Sequence, residues 1–86
     1  METNDTPQLQ WMVYIVECAD GTWYTGCTND VSARIATHNN GTGAKYTRSR
    51  LPVRLVYTEK QKDRSEALKR EAAIKKLSKK RKTDLL

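Results

Sequence analysis

Glu71 stands four residues after Ala67, three after Leu68 and three before Ile74. On a helix it therefore projects within an apolar surface rather than from the basic back. A carboxylate there is costly to bury unless it is paired or binds a cation, and on spacing alone an ion pair with a nearby lysine or arginine ranks ahead of a metal site. A second group lies earlier. Between residues 12 and 38 two β-rich runs carrying Tyr14 and Tyr24 meet at Asp20-Gly21, and a capped helix bearing Arg34 and His38 at i, i+4 follows at once. A third stretch, residues 39 to 52, mixes glycine, hydroxyls and positive charge, including Lys45, Tyr46, Thr47, Arg48 and Arg50, a combination suited to phosphate oxygens. Each feature has an ordinary alternative: tyrosines that pack in strands, a solvated helix edge, a mobile surface loop.

The elements that must position these residues follow from pattern. Residues 11 to 18 and 22 to 27 read as hairpin strands. A two-residue turn would put Tyr14 and Tyr24 on opposite faces. A three-residue loop, Ala19-Asp20-Gly21 with a left-handed Gly21, places Tyr14, Val16, Tyr24 and Gly26 on one face and Val13, Ile15 and Trp23 on the other. The second register is preferred because it keeps the apolar surface whole. Thr28 or Asn29 can cap the next helix, Asp30 favours its N-terminus, and Asn40-Gly41 supplies the stop. Val31 and Ile35 then point inward, and Arg34 and His38 sit at the rim of the core. Residues 53 to 58 alternate as a third strand. Asp63-Arg64-Ser65-Glu66 resembles a capping box opening a helix through about residue 77, and Ser78 starts a last short one.

The chain has 86 residues, 37% of them hydrophobic, enough for one small core. Residues 1 to 10 are expected to be a loose arm and residues 11 to 86 a single domain. No apolar run approaches the roughly 20 residues that span a bilayer, and the start lacks the pattern of a signal peptide, so a cytoplasmic protein away from membranes is expected. Cys18 and Cys27 are expected as reduced thiols, too few to hold zinc. Charge is divided unevenly: residues 1 to 44 carry one basic residue against five acids, and residues 45 to 82 carry fifteen against four. That asymmetry suggests a polyanionic partner, most simply nucleic acid, although lysine-rich helices also serve solubility.

Met12-Val13-Tyr14 and Tyr24-Thr25-Gly26, followed by Arg34, His38 and then Glu71 in Ala67-Leu68-Lys69-Arg70-Glu71-Ala72-Ala73-Ile74-Lys75, resemble the GIY-YIG nuclease superfamily over about residues 11 to 80. The Gly43-Ala44-Lys45-Tyr46-Thr47 loop is similar to that of its small stand-alone members. The resemblance implies an α+β fold, a three-stranded antiparallel sheet flanked by helices, and a metal-dependent endonuclease acting on nucleic acid, with DNA the expected substrate. It implies that Glu71 holds Mg²⁺ or Mn²⁺, Tyr14 activates or orients water, Tyr24 supports it, Arg34 binds the scissile phosphate, and His38 assists proton transfer or contacts phosphate. Gly26, Lys45, Tyr46, Thr47, Arg48 and Arg50 are the expected substrate contacts. The chain departs from the signature at Met12, where glycine is usual, and lacks the asparagine that some members carry after the glutamate. A nucleic-acid-binding module of the same fold with little activity is the alternative.

Overall fold

The computed structural model describes residues 10–86. The arm expected over residues 1 to 10 therefore lies, except for Gln10, outside the described residues. Three strands, β1 (Met12–Glu17), β2 (Trp23–Thr28) and β3 (Arg54–Lys60), form one antiparallel sheet in the order β2-β1-β3. Between β2 and β3 come the helix α1 (Val31–Asn39) and the single turn α2 (Lys45–Arg48). After β3 come α3 (Arg64–Lys75) and the short α4 (Lys79–Thr83). This is the α+β architecture expected.

The β1–β2 hairpin takes the three-residue register. Gly21 has φ +85°, its N–H donates to the Cys18 carbonyl at 2.9 Å, and Cys18 N–H donates to the Thr22 carbonyl at 2.8 Å. Tyr14 then pairs with Gly26 and Val16 with Tyr24. Because side chains alternate along strands, the sheet has two differently furnished faces. One carries Tyr14, Val16 and Cys18, joined by Val53, Tyr24, Leu51 and the α1 residue Ile35. The other carries Val13 and Ile15, packed against Ala67 and Ile74 of α3 with Trp11, Trp23, Cys27, Tyr57 and Leu85 around them. Each fully buried aliphatic side chain contributes about 1.5–3 kcal/mol, so a chain of this size needs both clusters.

Four expectations are corrected. Asp30 itself is the N-cap of α1, its carboxylate accepting from Ala33 N–H at 3.1 Å, so neither Thr28 nor Asn29 caps the helix. The 39 to 52 connection contains α2 and is pinned at both ends: the Asn39 amide exchanges two hydrogen bonds with the Val53 backbone, and Ala19 N–H donates to the Arg50 carbonyl. The third strand begins at Arg54 and does not alternate simply. Ile15 pairs with Tyr57 but Val16 with Leu55, leaving Val56 as a bulge. Val56 therefore joins Tyr57 on the α3 side while Leu55 is left 42% exposed. The main helix ends at Lys75, short of residue 77. It starts where expected, with the Asp63 carboxylate accepting from Glu66 N–H at 2.9 Å, although the Glu66 carboxylate turns to Lys69 at 3.4 Å and so gives only half of the expected box; Ser78 likewise caps α4. The two cysteines are free.

Candidate active site

The Tyr14 ring lies across Gly26 on the neighbouring strand. A Cβ at Gly26 would stand 2.5 Å from the Tyr14 Oη and 2.6 Å from its Cζ, so only glycine leaves room for the ring. Tyr14 is 1% exposed, and its hydroxyl meets two groups projected by α1: His38 Nε2 at 2.8 Å and Arg34 Nε at 3.4 Å. The spacing of four between Arg34 and His38 brings both onto one side of α1, over the strand-borne hydroxyl. His38 is completely buried, deeper than the rim position expected, because α2 folds over it. Thr47 of α2 places its Oγ1 2.9 Å from His38 Nδ1, and Gly43 approaches so closely that a Cβ there would stand 2.6 Å from the same nitrogen.

These surroundings set protonation. Burial pushes the Tyr14 phenol above its usual range, against the lowering effect of the Arg34 hydrogen bond and charge. Burial pushes His38 down, and the Arg34 charge pushes it further. At neutral pH the pair is a neutral phenol against a neutral imidazole, with a cation beside the phenol oxygen.

Tyr24 shares this face. Its ring meets His38 edge-on at 5.5 Å and stacks on Tyr46 at 6.0 Å, and the Arg50 guanidinium covers Tyr46 at 3.9 Å. Arg50 is further engaged, donating to Asp20 Oδ2 at 3.1 Å and to the Tyr46 carbonyl at 2.7 Å. The expected substrate contacts thus divide. Gly26 and Thr47 are buried and serve Tyr14 and His38, whereas Tyr46 and Arg50 brace Tyr24. Lys45 and Arg48 remain exposed, with no ion pair among the described residues.

Glu71 does not join from the same side. α3 packs on the Val13/Ile15 face, so Glu71 reaches the β2 edge from the side opposite Tyr14. Its Oε1 accepts from Cys27 Sγ at 3.4 Å and its Oε2 pairs with Lys75 Nζ at 3.0 Å. The ion pair with a nearby lysine that the spacing of Glu71 favoured is thus formed; its partner, Lys75, was not named from the sequence, although its spacing of four from Glu71 is the signal that singles it out. Its ammonium lies 5.8 Å from the centre of the Tyr24 ring and so connects the two sides. A second lysine follows on the same side: Lys82, 8% exposed, donates to Thr25 Oγ1 at 3.1 Å, and burial pushes its ammonium below the usual range, with the charge of Lys75 adding to this.

Among the described residues no three His, Cys, Asp or Glu side chains cluster to hold a metal. Glu71 is the carboxylate whose charge acts on Tyr14, and a single carboxylate suits a hard ion that keeps waters and takes substrate phosphate oxygens. The fit requires Lys75 to yield Oε2.

Comparison with known proteins agrees with the geometry. A model of the GIY-YIG catalytic domain matches residues 10–84. A UPF0213 protein of Desulfotalea psychrophila is 58% identical over 87 residues, covering 100% of this chain and 79% of that protein. One from Halobacterium salinarum is 56% identical over 73 residues, covering 85% and 95%. Two solution NMR structures are similar: the UPF0213 protein BH0048 from Bacillus halodurans, 49% identical with a TM-score of 0.56, covering 90% of this chain and 82% of that one, and the protein EF2693 from E. faecalis, 42% identical with a TM-score of 0.60, covering 96% and 86%. A buried tyrosine over glycine, an arginine and histidine on the following helix, and a glutamate at the same sheet edge accompany a family match over nearly the whole chain, which therefore belongs to the nuclease-type GIY-YIG family.

Proposed function

We propose that this protein is a metal-dependent endonuclease that hydrolyses phosphodiester bonds of DNA in the cytoplasm. The observation that carries the reading is the Tyr14 hydroxyl, held between a neutral imidazole at 2.8 Å and a guanidinium at 3.4 Å. A phenol with a pKa of about 10 is a poor base in water, and it needs both an acceptor for its own proton and a nearby positive charge. His38 and Arg34 supply these. His38 is fully buried and cannot touch phosphate, so its role is to take the Tyr14 proton. Tyr14 in turn takes a proton from the attacking water. Arg34, half-buried, binds a non-bridging oxygen of the scissile phosphate with its planar guanidinium. Tyr24 walls the site against His38 and Tyr46.

Glu71 would hold Mg²⁺ or Mn²⁺, which when bound would neutralise charge on the phosphate. Lys45 and Arg48 give sequence-independent contacts to backbone phosphates.

One observation favours a second reading, a nucleic-acid-binding module with little activity: both oxygens of Glu71 are already engaged, by Cys27 and Lys75. Incubating the protein with labelled single-stranded, duplex and flapped DNA and with RNA, in Mg²⁺, Mn²⁺ or EDTA, beside Glu71→Ala, separates the two. Metal-dependent cleavage of DNA lost in the variant supports the nuclease. Binding without cleavage in every metal refutes it.

A further inference from the structure

The hydroxyl of Thr47, a loop residue that looks from sequence like a phosphate contact, is 0% exposed and lies between His38 Nδ1 at 2.9 Å and the Ala44 carbonyl at 3.0 Å. It has one hydrogen to give. The Ala44 oxygen, which also accepts from Thr47 N–H at 3.1 Å and Arg48 N–H at 3.2 Å, can only accept, so if Thr47 gave its hydrogen to His38, two oxygens would approach to 3.0 Å with no hydrogen between them. The hydrogen therefore goes to Ala44, and Oγ1 accepts from Nδ1–H. The other end of the ring is paired to match. With Nδ1 protonated, Nε2 of a neutral imidazole is an acceptor, the Tyr14 O–H donates into it at 2.8 Å, and the Tyr14 oxygen accepts from Arg34 Nε–H at 3.4 Å. Each hydrogen from Arg34 Nε through Tyr14 and His38 to Thr47 then has an acceptor. In the opposite tautomer Tyr14 would accept from both Nε2–H and Arg34, and its own hydrogen would have no acceptor among the described residues, in a side chain only 1% exposed.

We propose that Thr47 is the positioning residue that fixes His38 as the Nδ1–H tautomer, so that Nε2 is the acceptor for the Tyr14 proton. This rests on the nuclease reading for its catalytic meaning, though not for the tautomer itself. In the step it prepares, the Tyr14 O–H bond breaks as Nε2–H forms, giving imidazolium and phenolate; the phenolate then takes the proton released as water attacks phosphorus, while the bond from phosphorus to the leaving-strand oxygen breaks and its electron pair departs on that oxygen. Throughout, Nδ1–H stays on Thr47. A hydroxyl orients the ring without charging it. A carboxylate at this place would hold a resident imidazolium, whose Nε2–H would point at Tyr14 as a donor and leave the phenol without a base. Gly43 belongs to the same arrangement, since any side chain there would push the ring off Thr47.

The test is the ¹⁵N spectrum of His38 in the full chain at neutral pH. A pyrrole-type Nδ1 and a pyridine-type Nε2 are expected in the wild type, and a pyridine-type Nδ1 would overturn the proposal with no variant needed. Thr47→Val, nearly isosteric, should shift the ring toward the Nε2–H form and lower kcat at least 10-fold, leaving affinity for an uncleavable DNA within about 2-fold. Thr47→Ser should restore both spectrum and rate. If the valine variant keeps the wild-type tautomer, or if serine fails to rescue, the role is wrong. Should the valine variant not fold, the wild-type and serine spectra still decide. A wild-type protein with the expected tautomer but no cleavage in any metal would refute the nuclease reading and leave the positioning role of Thr47 standing.

Discussion

Gly26→Ala is the smallest change that should disable the site. The added Cβ would stand 2.5 Å from Tyr14 Oη, 2.6 Å from Cζ and 2.9 Å from Cε2, where ordinary contact begins at 3.4 Å. The hydroxyl end of the ring must therefore withdraw by about 0.9 Å, the difference between 3.4 and 2.5 Å. It has no free direction: β1 and β2 pair directly at this point, and His38 closes over the hydroxyl at 2.8 Å. A movement of that size away from His38 takes the bond to about 3.7 Å, beyond hydrogen-bonding distance, and a movement toward it makes a clash. Overpacking of this kind costs about 1–3 kcal/mol, which in a domain this small lowers Tm by roughly 5–20 °C. Cleavage by the surviving folded fraction should fall about 100-fold or more, because the Tyr14 proton loses its acceptor. The assay is thermal unfolding and cleavage side by side, repeated in a Tyr14→Leu background. There the same alanine should cost at least about 1 kcal/mol less, since the ring it strikes is gone. Equal cost in both backgrounds, or a stable and active Gly26→Ala protein, would refute the reasoning.

Glu71→Gln should abolish cleavage while nucleic-acid binding stays equal or tightens. The pair it breaks is an i, i+4 bridge to a half-exposed lysine, worth about 0.3–0.5 kcal/mol, so Tm should move by less than about 4 °C; a large loss of stability with cleavage retained in the folded fraction would make Glu71 a structural partner only. Burial depresses the folded-state pKa of His38, so as pH falls below about 6.5 the unfolded chain takes the proton first. Stability is then complete above about pH 6.5 and declines below it through the folded pKa, with a slope of at most about 1.4 kcal/mol per pH unit. Urea midpoints from about pH 5 to pH 7, wild type against His38→Asn, should show that slope only in the wild type. Binding to duplex DNA should weaken with salt by roughly 0.9 log units per tenfold salt for each phosphate contact, and Lys45→Ala with Arg48→Ala should remove about two contacts from that slope. An unchanged slope in the double variant would move the interface elsewhere.

The hairpin was legible in the sequence because period-two alternation and a glycine at the one left-handed position admit a single register with an unbroken apolar face. The bulge at Val56 was not, since Val53, Leu55 and Tyr57 alternate as well as any regular strand and nothing marks the extra residue. The two readings differ in consequence. The hairpin fixes which hydroxyl lies over Gly26, whereas the bulge only exchanges Leu55 for Val56 beneath α3.

His38 shows a different limit. Its spacing from Ile35 places it at the edge of an apolar stripe, and an edge residue becomes a core residue only if something covers it. The cover is α2, a four-residue turn without a hydrophobic pattern of its own, held by backbone bonds and by Asn39. Thr47 and Gly43 thereby change from solvent-facing loop residues into the floor of the histidine site. The side from which Glu71 arrives was, by contrast, available to argument. The face carrying Val13, Ile15 and Trp23 needed a helix, and α3 has the apolar residues Ala67 and Ile74 to meet it. Glu71 on that same surface must then come to the β2 edge from beneath, while Tyr14 and Arg34 come from above. For one phosphate to touch both Arg34 and an ion held by Glu71, a bound nucleic acid would have to cross the edge of β2, the border of the sheet to which Glu71 reaches through Cys27, and there it would meet Lys75 beside the Tyr24 ring.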